Sequence, residues 1–89
     1  MDQTYTLYQF NKLSNPEKYA LIEDYGSYLE VSRIEGKYQV ALFTIYGFYV
    51  EVFLDQAKDK LFKAHGFNSY KKLDQYITEI DIAEVFALL

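Results

Sequence analysis

Six side chains between residues 58 and 72 are the ones best suited by type and spacing to bind a ligand. They are Lys58, Lys60, Lys63, His65, Lys71 and Lys72. Five lysines and one acid, Asp59, give this basic segment a charge of +4, whereas the whole chain carries −4 and its remainder therefore −8. Such asymmetry predicts the attraction of an anionic partner, which could be an acidic protein, a phosphate or a nucleic acid.

The rings within the basic segment bear on which anion it would bind. Phe62, Phe67 and Tyr70 are interleaved with the lysines, and rings in such positions can stack on the bases of a single strand. However, the sequence contains no known nucleic-acid motif, and its acidic remainder repels polyanions. The alternative interpretation is a hydrated surface that balances neighbouring acids, and it is the commoner one for a run of charges.

The sequence contains no set of residues that predicts catalysis or a metal site. His65 is the only histidine, and a general base needs an orienting partner and a nucleophile or metal at a suitable spacing. Four acids follow the basic segment, namely Asp74, Glu79, Asp81 and Glu84. Their spacing is not that of a calcium-binding loop. Cysteine is absent, so thiolate chemistry is excluded, and we predict no enzyme activity and no cofactor.

Glu51 lies between two valines, and Arg33 falls on the predicted core face. Glu51 could be a catalytic carboxylate with a pKa raised by burial, or a carboxylate on the polar face of a sheet. The second interpretation is favoured, with Lys63 or His65 as its cross-strand partner. Arg33 is predicted on the core face, opposite Tyr38 near a hairpin end. There its stem covers apolar surface, and its guanidinium stacks on a ring or reaches water.

The N-terminal part of the chain has helical spacing. A short apolar stripe is formed by Leu7, Phe10 and Leu13. Ser14 and Glu17 have capping-box spacing, which predicts a helix over Asn15–Tyr25. Gly26 is expected to end that helix in the left-handed conformation.

After this helix the apolar period changes to two, which predicts an antiparallel meander. Turns are predicted at residues 35–36 and 45–47, the second with three residues because only Gly47 must then be left-handed. That register puts Val40 opposite Val52. The predicted core face, on which the helices pack, consists of Leu29, Val31, Tyr38, Val40, Leu42, Phe48, Val50, Val52 and Leu54.

The opposite face of the predicted sheet carries an aromatic stripe mixed with polar residues. Its apolar members are Tyr28, Phe43, Ile45, Tyr49 and Phe53. The chain has enough helix to cover one sheet face well, so we predict that this stripe is an interaction surface. Either a second copy of the chain or another protein could bind to it.

The C-terminal third completes an α+β fold. Residues 56–66 could be a helix or a turn followed by a fourth strand, and the strand is favoured because the helix would have a thin apolar stripe. Asn68 or Ser69 can cap a further helix, which a second capping pattern at Asp81 is expected to break. We predict two N-terminal helices, a meander of three or four strands and a broken C-terminal helix packed on one sheet face.

Length and composition limit where this fold can operate. The 89 residues, 51% of them hydrophobic and 19% aromatic, predict one domain with its own core. The uncharged residues 40–50 are only about half as long as the ~20 residues that a membrane-spanning helix needs. The absence of cysteine and of a basic-then-apolar N-terminus predicts a cytoplasmic location without a membrane.

Four segments in order resemble a group of short uncharacterised proteins typical of Bacteroidetes bacteria. They are FNKLSNPEK, YGSYLEVSR, YQVALFTIYGFYVEVFLD and LDQYITEIDI, of which FYVEV is the most specific. The resemblance covers roughly residues 10–82 and implies a bacterial cytoplasmic domain with a strand over Lys60–Phe67, but no activity. We therefore predict a small cytoplasmic binding or regulatory module that acts through protein contacts, a homodimer among them. The alternative is an anion or nucleic-acid binder that uses residues 58–72.

Overall fold

The computed structural model describes residues 4–77, which form three helices and a four-stranded sheet. The elements are α1 Leu7–Asn11, α2 Asn15–Tyr25, β1 Ser27–Glu35, β2 Tyr38–Ile45, β3 Phe48–Asp55, β4 Lys60–Phe67 and α3 Tyr70–Ile77. All neighbouring strands are antiparallel, in the order β1-β2-β3-β4. This confirms the predicted α+β class and the strand interpretation of residues 56–66. Among the described residues, no helix is long and apolar enough to cross a membrane.

Both N-terminal helices begin with a capping box. Ser14 accepts a hydrogen bond from the Glu17 backbone, and the Glu17 side chain accepts one from the Ser14 backbone, as predicted. Thr6 and Gln9 do the same for α1. Gly26 ends α2, but the prediction that it is left-handed is wrong, because its φ is −80°. A glycine is needed there for space, since a Cβ would lie 2.7 Å from the carbonyl oxygen of Ile22.

The turn between β2 and β3 differs from the prediction and changes the faces of the sheet. It has two residues, with Tyr46 at φ +53° and Gly47 at φ +87°. Left-handed backbone is costly for tyrosine, but the Tyr46 ring packs near the rings of Tyr5, Tyr25 and Phe48, at centroid distances of 5.9, 6.1 and 6.3 Å. The predicted three-residue loop, which would have spared Tyr46 this conformation, is therefore wrong.

Because this turn has two residues instead of three, the pairing of β3 with β2 is shifted by one residue from the predicted register. Val40 lies opposite Phe53 rather than Val52, and Leu42 lies opposite Glu51. Since side chains alternate along a strand, Val50 and Val52 point away from the face that carries Val40 and Leu42. The single core face predicted from the sequence is thus wrong, and its members are divided between the two faces. Leu29 of that set is exposed.

The first hairpin is also displaced, although its faces are preserved. Its turn is Gly36-Lys37 rather than residues 35–36, and the φ of Gly36 is +59°. Arg33 therefore lies opposite Val40, two residues from its predicted partner, Tyr38. A shift of two leaves each side chain on its original face. Further along β1, Glu30 at φ +61° marks an irregularity where the register with β2 shifts.

The helices cover opposite faces of the sheet. On the α1/α2 face, Phe10 and Ile22 pack in one core cluster with the sheet residues Ile45, Phe48, Val50, Val52 and Ala64. On the α3 face, Tyr76 and Leu73 pack with Leu42 and Phe67. The prediction that all helices pack on one face is therefore wrong. The predicted break near residue 81 lies outside the described residues.

Candidate functional site

The five predicted interaction residues do not form one stripe. Tyr28 and Phe43 lie side by side on the α1/α2 face, with ring centroids 5.2 Å apart, and Ile45 is buried there in the core cluster. Tyr49 and Phe53 lie on the α3 face, opposite Thr44 and Val40. The two-residue turn separates these two groups. The half-exposed Tyr28 is the member most available to a partner.

A groove with a volume of about 430 Å³ lies between α2 and the α1/α2 face of the sheet. It is lined by Tyr19, Ile22, Glu23 and Gly26 from α2 and its end, and by Tyr28, Phe43, Val52 and Leu61 from the four strands. Tyr28 and Leu61 are each 49% exposed. Only Glu23 among the lining residues is charged, so the groove is apolar with one acid in its wall.

The Tyr19 hydroxyl is an unsatisfied polar group in the groove lining. It is buried and has no hydrogen-bond partner among the described residues. Burial raises the pKa of Tyr19 above its ordinary value, because the phenolate loses hydration. A partner group that reaches this hydroxyl would gain a hydrogen bond that the protein itself does not supply.

A buried carboxylate is the centre of the α3 face. Glu51 is 2% exposed, and its Oε2 accepts hydrogen bonds from Arg33 Nη2 at 2.8 Å and from the Tyr76 hydroxyl at 2.7 Å. Lys72 Nζ lies 3.8 Å from its Oε1. His65 is directly opposite Glu51 in the strand register, as predicted, but the prediction that Glu51 lies on an exposed polar face is wrong, because its side chain is buried. The direct hydrogen bonds, however, come from two residues that were not predicted as its partners.

The donors of this carboxylate are held in their charged or protonated forms. Burial alone would lower the pKa of Arg33, but the hydrogen bond and negative charge of Glu51, together with Tyr76, outweigh burial and raise it. Burial, followed by the hydrogen bond and charge of Glu51, raises the pKa of Tyr76 well above its ordinary value. The Arg33 guanidinium also lies 6.0 Å from the Phe53 ring centroid and 5.7 Å from that of Tyr76. The predicted ring contact of Arg33 is thus confirmed, and the network ties α3 to β1 and β3.

The predicted anion-binding residues are only partly gathered together. Lys63, His65 and Lys72 lie on the α3 face near Glu51, and Lys72 is half-buried. Partial burial and then the charge of Lys72 lower the pKa of His65. The other three lysines are exposed, as Lys63 is: Lys58 lies in the turn before β4, Lys60 at its first residue and Lys71 on α3.

A ring stack missed by sequence reasoning lies beside Lys63. The rings of Tyr38 and Phe62 are stacked at 4.8 Å with an angle of 15°, and Phe62 is 49% exposed. Lys63 lies 5.8 Å from the Phe62 centroid, and Lys37 lies 5.4 Å from that of Tyr38. The register shift between β3 and β4 at Phe53/Leu54 disturbs simple alternation here, so period-two reasoning could not have placed Phe62.

The two edges of the sheet differ, which sequence reasoning also missed. On β4 the backbone carbonyls of Phe62, Ala64 and Gly66 accept hydrogen bonds from Asn15, Lys18 and Asn11, at 3.3, 3.0 and 2.9 Å. The Gly66 N–H donates to Asn11 Oδ1 at 2.8 Å. Side chains of α1 and α2 thus close alternate positions of this edge. In the part of the chain that the structure describes, β1 pairs with β2 alone.

Comparison of the chain with protein-family models, with curated proteins and with solved structures finds no match. Over residues 4–77, no three histidine or acidic side chains come close enough together to hold a metal ion. The chemistry of the described surfaces is therefore the basis for a functional proposal.

Proposed function

We propose that this protein is a small binding module that acts through protein contacts, and that the groove under α2 receives apolar side chains of the partner. The groove itself carries this proposal. Its volume of about 430 Å³ is within the usual range of about 300–1,000 Å³ for ligand pockets. The exposed Tyr28 and Leu61 at its wall offer apolar area that water covers in the free protein.

The lining predicts the chemistry of the partner segment. Apolar or aromatic side chains would fill the groove, because all but one of its lining residues are uncharged. Exposed Glu23 is the charged member and favours a lysine or arginine beside the apolar residues. A non-enzymatic role and a bacterial, cytoplasmic setting belong to the same proposal, and the sequence alone supports them.

Selection from a library of displayed peptides tests this function. Peptides that combine large apolar residues with a basic residue should be enriched on the wild-type protein. They should lose binding to Leu61→Lys, which places a charge in the groove wall. Tyr8→Lys is the matched control, since Tyr8 is 69% exposed on α1 and does not line the groove. Enriched peptides that bind Leu61→Lys as well as the wild type would refute the groove as the binding site.

The stacked rings favour one second candidate, the binding of single-stranded nucleic acid. Tyr38 and Phe62 with the flanking Lys37 and Lys63 combine a stacking platform with positive charge. Titration with a labelled oligonucleotide should then show an affinity that falls steeply with salt. Phe62→Leu should weaken it further at constant charge. Absence of binding at low salt would eliminate this candidate.

A further inference from the structure

One part of the α3 face presents rings and lysines together. Phe62 is 49% exposed and stacks on Tyr38 at 4.8 Å. The exposed Lys63 lies 4.6 Å from the Phe53 ring centroid. The exposed Lys60 is in the same row of the sheet as Tyr38, and residues in one row share a face. The ring–lysine patch therefore consists of Tyr38, Phe53, Lys60, Phe62 and Lys63.

The two lysines of this patch carry positive charge that no acid of residues 4–77 pairs with. The acids of the same face are already engaged. Arg33 lies 2.8 Å from Glu51 and 3.6 Å from Glu35, and Lys37 lies 3.6 Å from Asp55. An acidic segment that reached the patch would therefore meet cations without a competing partner.

The twelve residues that follow the described part of the chain are acidic and apolar. Residues 78–89 read TEIDIAEVFALL, with acids at Glu79, Asp81 and Glu84 and no basic residue, so their charge is −3. Eight of the twelve are Ile, Val, Phe, Leu or Ala. This segment thus combines carboxylates that lysines attract with side chains that can cover exposed rings.

The acidic segment starts close enough to the ring–lysine patch to reach it. Tyr76 is the last residue but one of α3, and its ring lies 5.7 Å from the Arg33 guanidinium. Arg33 is in one row of the sheet with Phe53 and Lys63, so Lys63 is three strand spacings, or about 14 Å, away. Twelve residues span about 18 Å as a helix and about 40 Å when extended. Either length is sufficient.

We propose that residues 78–89 dock on the ring–lysine patch of their own chain, with carboxylates beside Lys60 and Lys63 and apolar side chains on the exposed rings. The covalent link favours this contact, because it sets an effective concentration on the order of millimolar. The groove under α2 suits the segment less, since its charged lining residue is the acid Glu23. Docking would cover the Tyr38–Phe62 stack and so inhibit the binding of single strands. The contact itself depends on neither proposed function.

Zero-length carbodiimide crosslinking with peptide mass spectrometry tests the inference, because it joins only carboxylates and amines that are in contact. The acids of residues 78–89 should be linked to Lys60 or Lys63. A mixture of isotope-labelled and unlabelled chains distinguishes links within a chain from links between chains, and the expected ones are within a chain. Lys12 is the matched control, since it is also exposed but lies at the end of α1 on the other face. It should not be linked.

Charge reversal provides a second measurement. In Lys63→Glu the backbone amides of residues 79–86 should exchange faster than in the wild type, because repulsion releases the segment. Lys12→Glu should leave their exchange unchanged, and circular dichroism verifies that both variants are folded. Absence of links to Lys60 and Lys63 within a chain, links to Lys12 instead, or equal exchange in Lys63→Glu and the wild type would overturn the inference. Peptide selection and oligonucleotide titration are separate measurements, so the proposed functions can survive or fail independently.

Discussion

The two faces of the sheet are stabilised by different chemistry. The α1/α2 face is a continuous apolar core in which Phe10 and Val50 are fully buried. The α3 face combines the apolar Leu42 and Phe67 with a buried carboxylate, a guanidinium and a phenol. Val50 and Glu51 are adjacent in the sequence, yet they belong to these two environments because side chains alternate along β3.

This difference predicts that the faces respond differently to mutation. Removal of carbon atoms from an apolar core destabilises it in proportion to the area and cavity involved. Removal of one partner from a buried ion pair leaves an uncompensated charge, which costs much more than the pair contributes. The stability contributed by the α3 face should therefore depend on a few polar atoms, and that contributed by the α1/α2 face on its total apolar contact.

The largest effect is expected from Arg33→Met. It removes the cation that is hydrogen-bonded to the buried Glu51 and leaves only the more distant Lys72, at 3.8 Å. The free energy of unfolding should fall by about 3–5 kcal/mol. Urea denaturation followed by circular dichroism measures the loss. The double replacement Arg33→Met with Glu51→Leu is the control and should recover most of it, because neither charge of the pair remains. A double variant as unstable as the single one would show that shape, and not charge, governs this site.

Tyr76→Phe should have the next largest effect. It removes a 2.7 Å hydrogen bond to a carboxylate, which corresponds to about 1.5–3 kcal/mol of unfolding free energy. Because the folded-state pKa of Tyr76 is raised, its contribution is fully present below the unfolded-state pKa of about 10 and is lost as pH rises further. The wild type should lose stability above that pH, and Tyr76→Phe should lose less.

Tyr19→Phe is the control for that alkaline profile on the other face. The pKa of Tyr19 is also raised, by burial alone, so its removal should flatten the profile by a smaller amount. Equal effects of the two phenylalanine variants would contradict the assignment of the Glu51 hydrogen bond as the main difference between the faces.

Lys18→Met tests the buried cation that α2 contributes to the described structure. Lys18 is 8% exposed, burial lowers its pKa, and its Nζ donates to the Ala64 carbonyl at 3.0 Å. Loss of this bond should lower the free energy of unfolding by about 1–3 kcal/mol. It should also free part of the β4 edge for association with other chains. Denaturation measures the first effect and concentration-dependent light scattering the second. Lys12→Met, at an exposed position of the same helical region, should change neither.

The comparison of faces also shows what the sequence could predict. Period-two alternation placed the strands, and the Ser14 and Glu17 spacing placed α2, because these signals are local. The predicted assignment of side chains to the two faces was wrong because it depended on the backbone conformation of Tyr46. That conformation is unfavourable in isolation, but here the Tyr46 ring packs with those of Tyr5, Tyr25 and Phe48. No local signal reports that packing.

The candidate surfaces were less predictable than the fold for the same reason. Arg33 was expected to lie near a ring, but its bond to Glu51 required the corrected register. The volume of the groove depends on the distance between α2 and the four strands. The spacing of residues along the sequence does not encode that distance. The hydrogen bonds of Asn11, Asn15 and Lys18 to the β4 backbone join residues that are 46 to 55 positions apart. In the sequence, each of these three residues is typical of the exposed surface of a helix.

The smallest effect is expected from Ile22→Val, which removes one methylene group from the α1/α2 face. Ile22 is 7% exposed in the core cluster, and such a replacement typically costs about 0.5–1.5 kcal/mol. The alkaline profile should be unchanged, because Ile22 touches no part of the Glu51 network. Since Ile22 also lines the groove, the added space should alter which apolar peptides bind. A loss as large as that of Arg33→Met would show that the two faces fail as one unit, and the graded behaviour assigned to the apolar face would then be wrong.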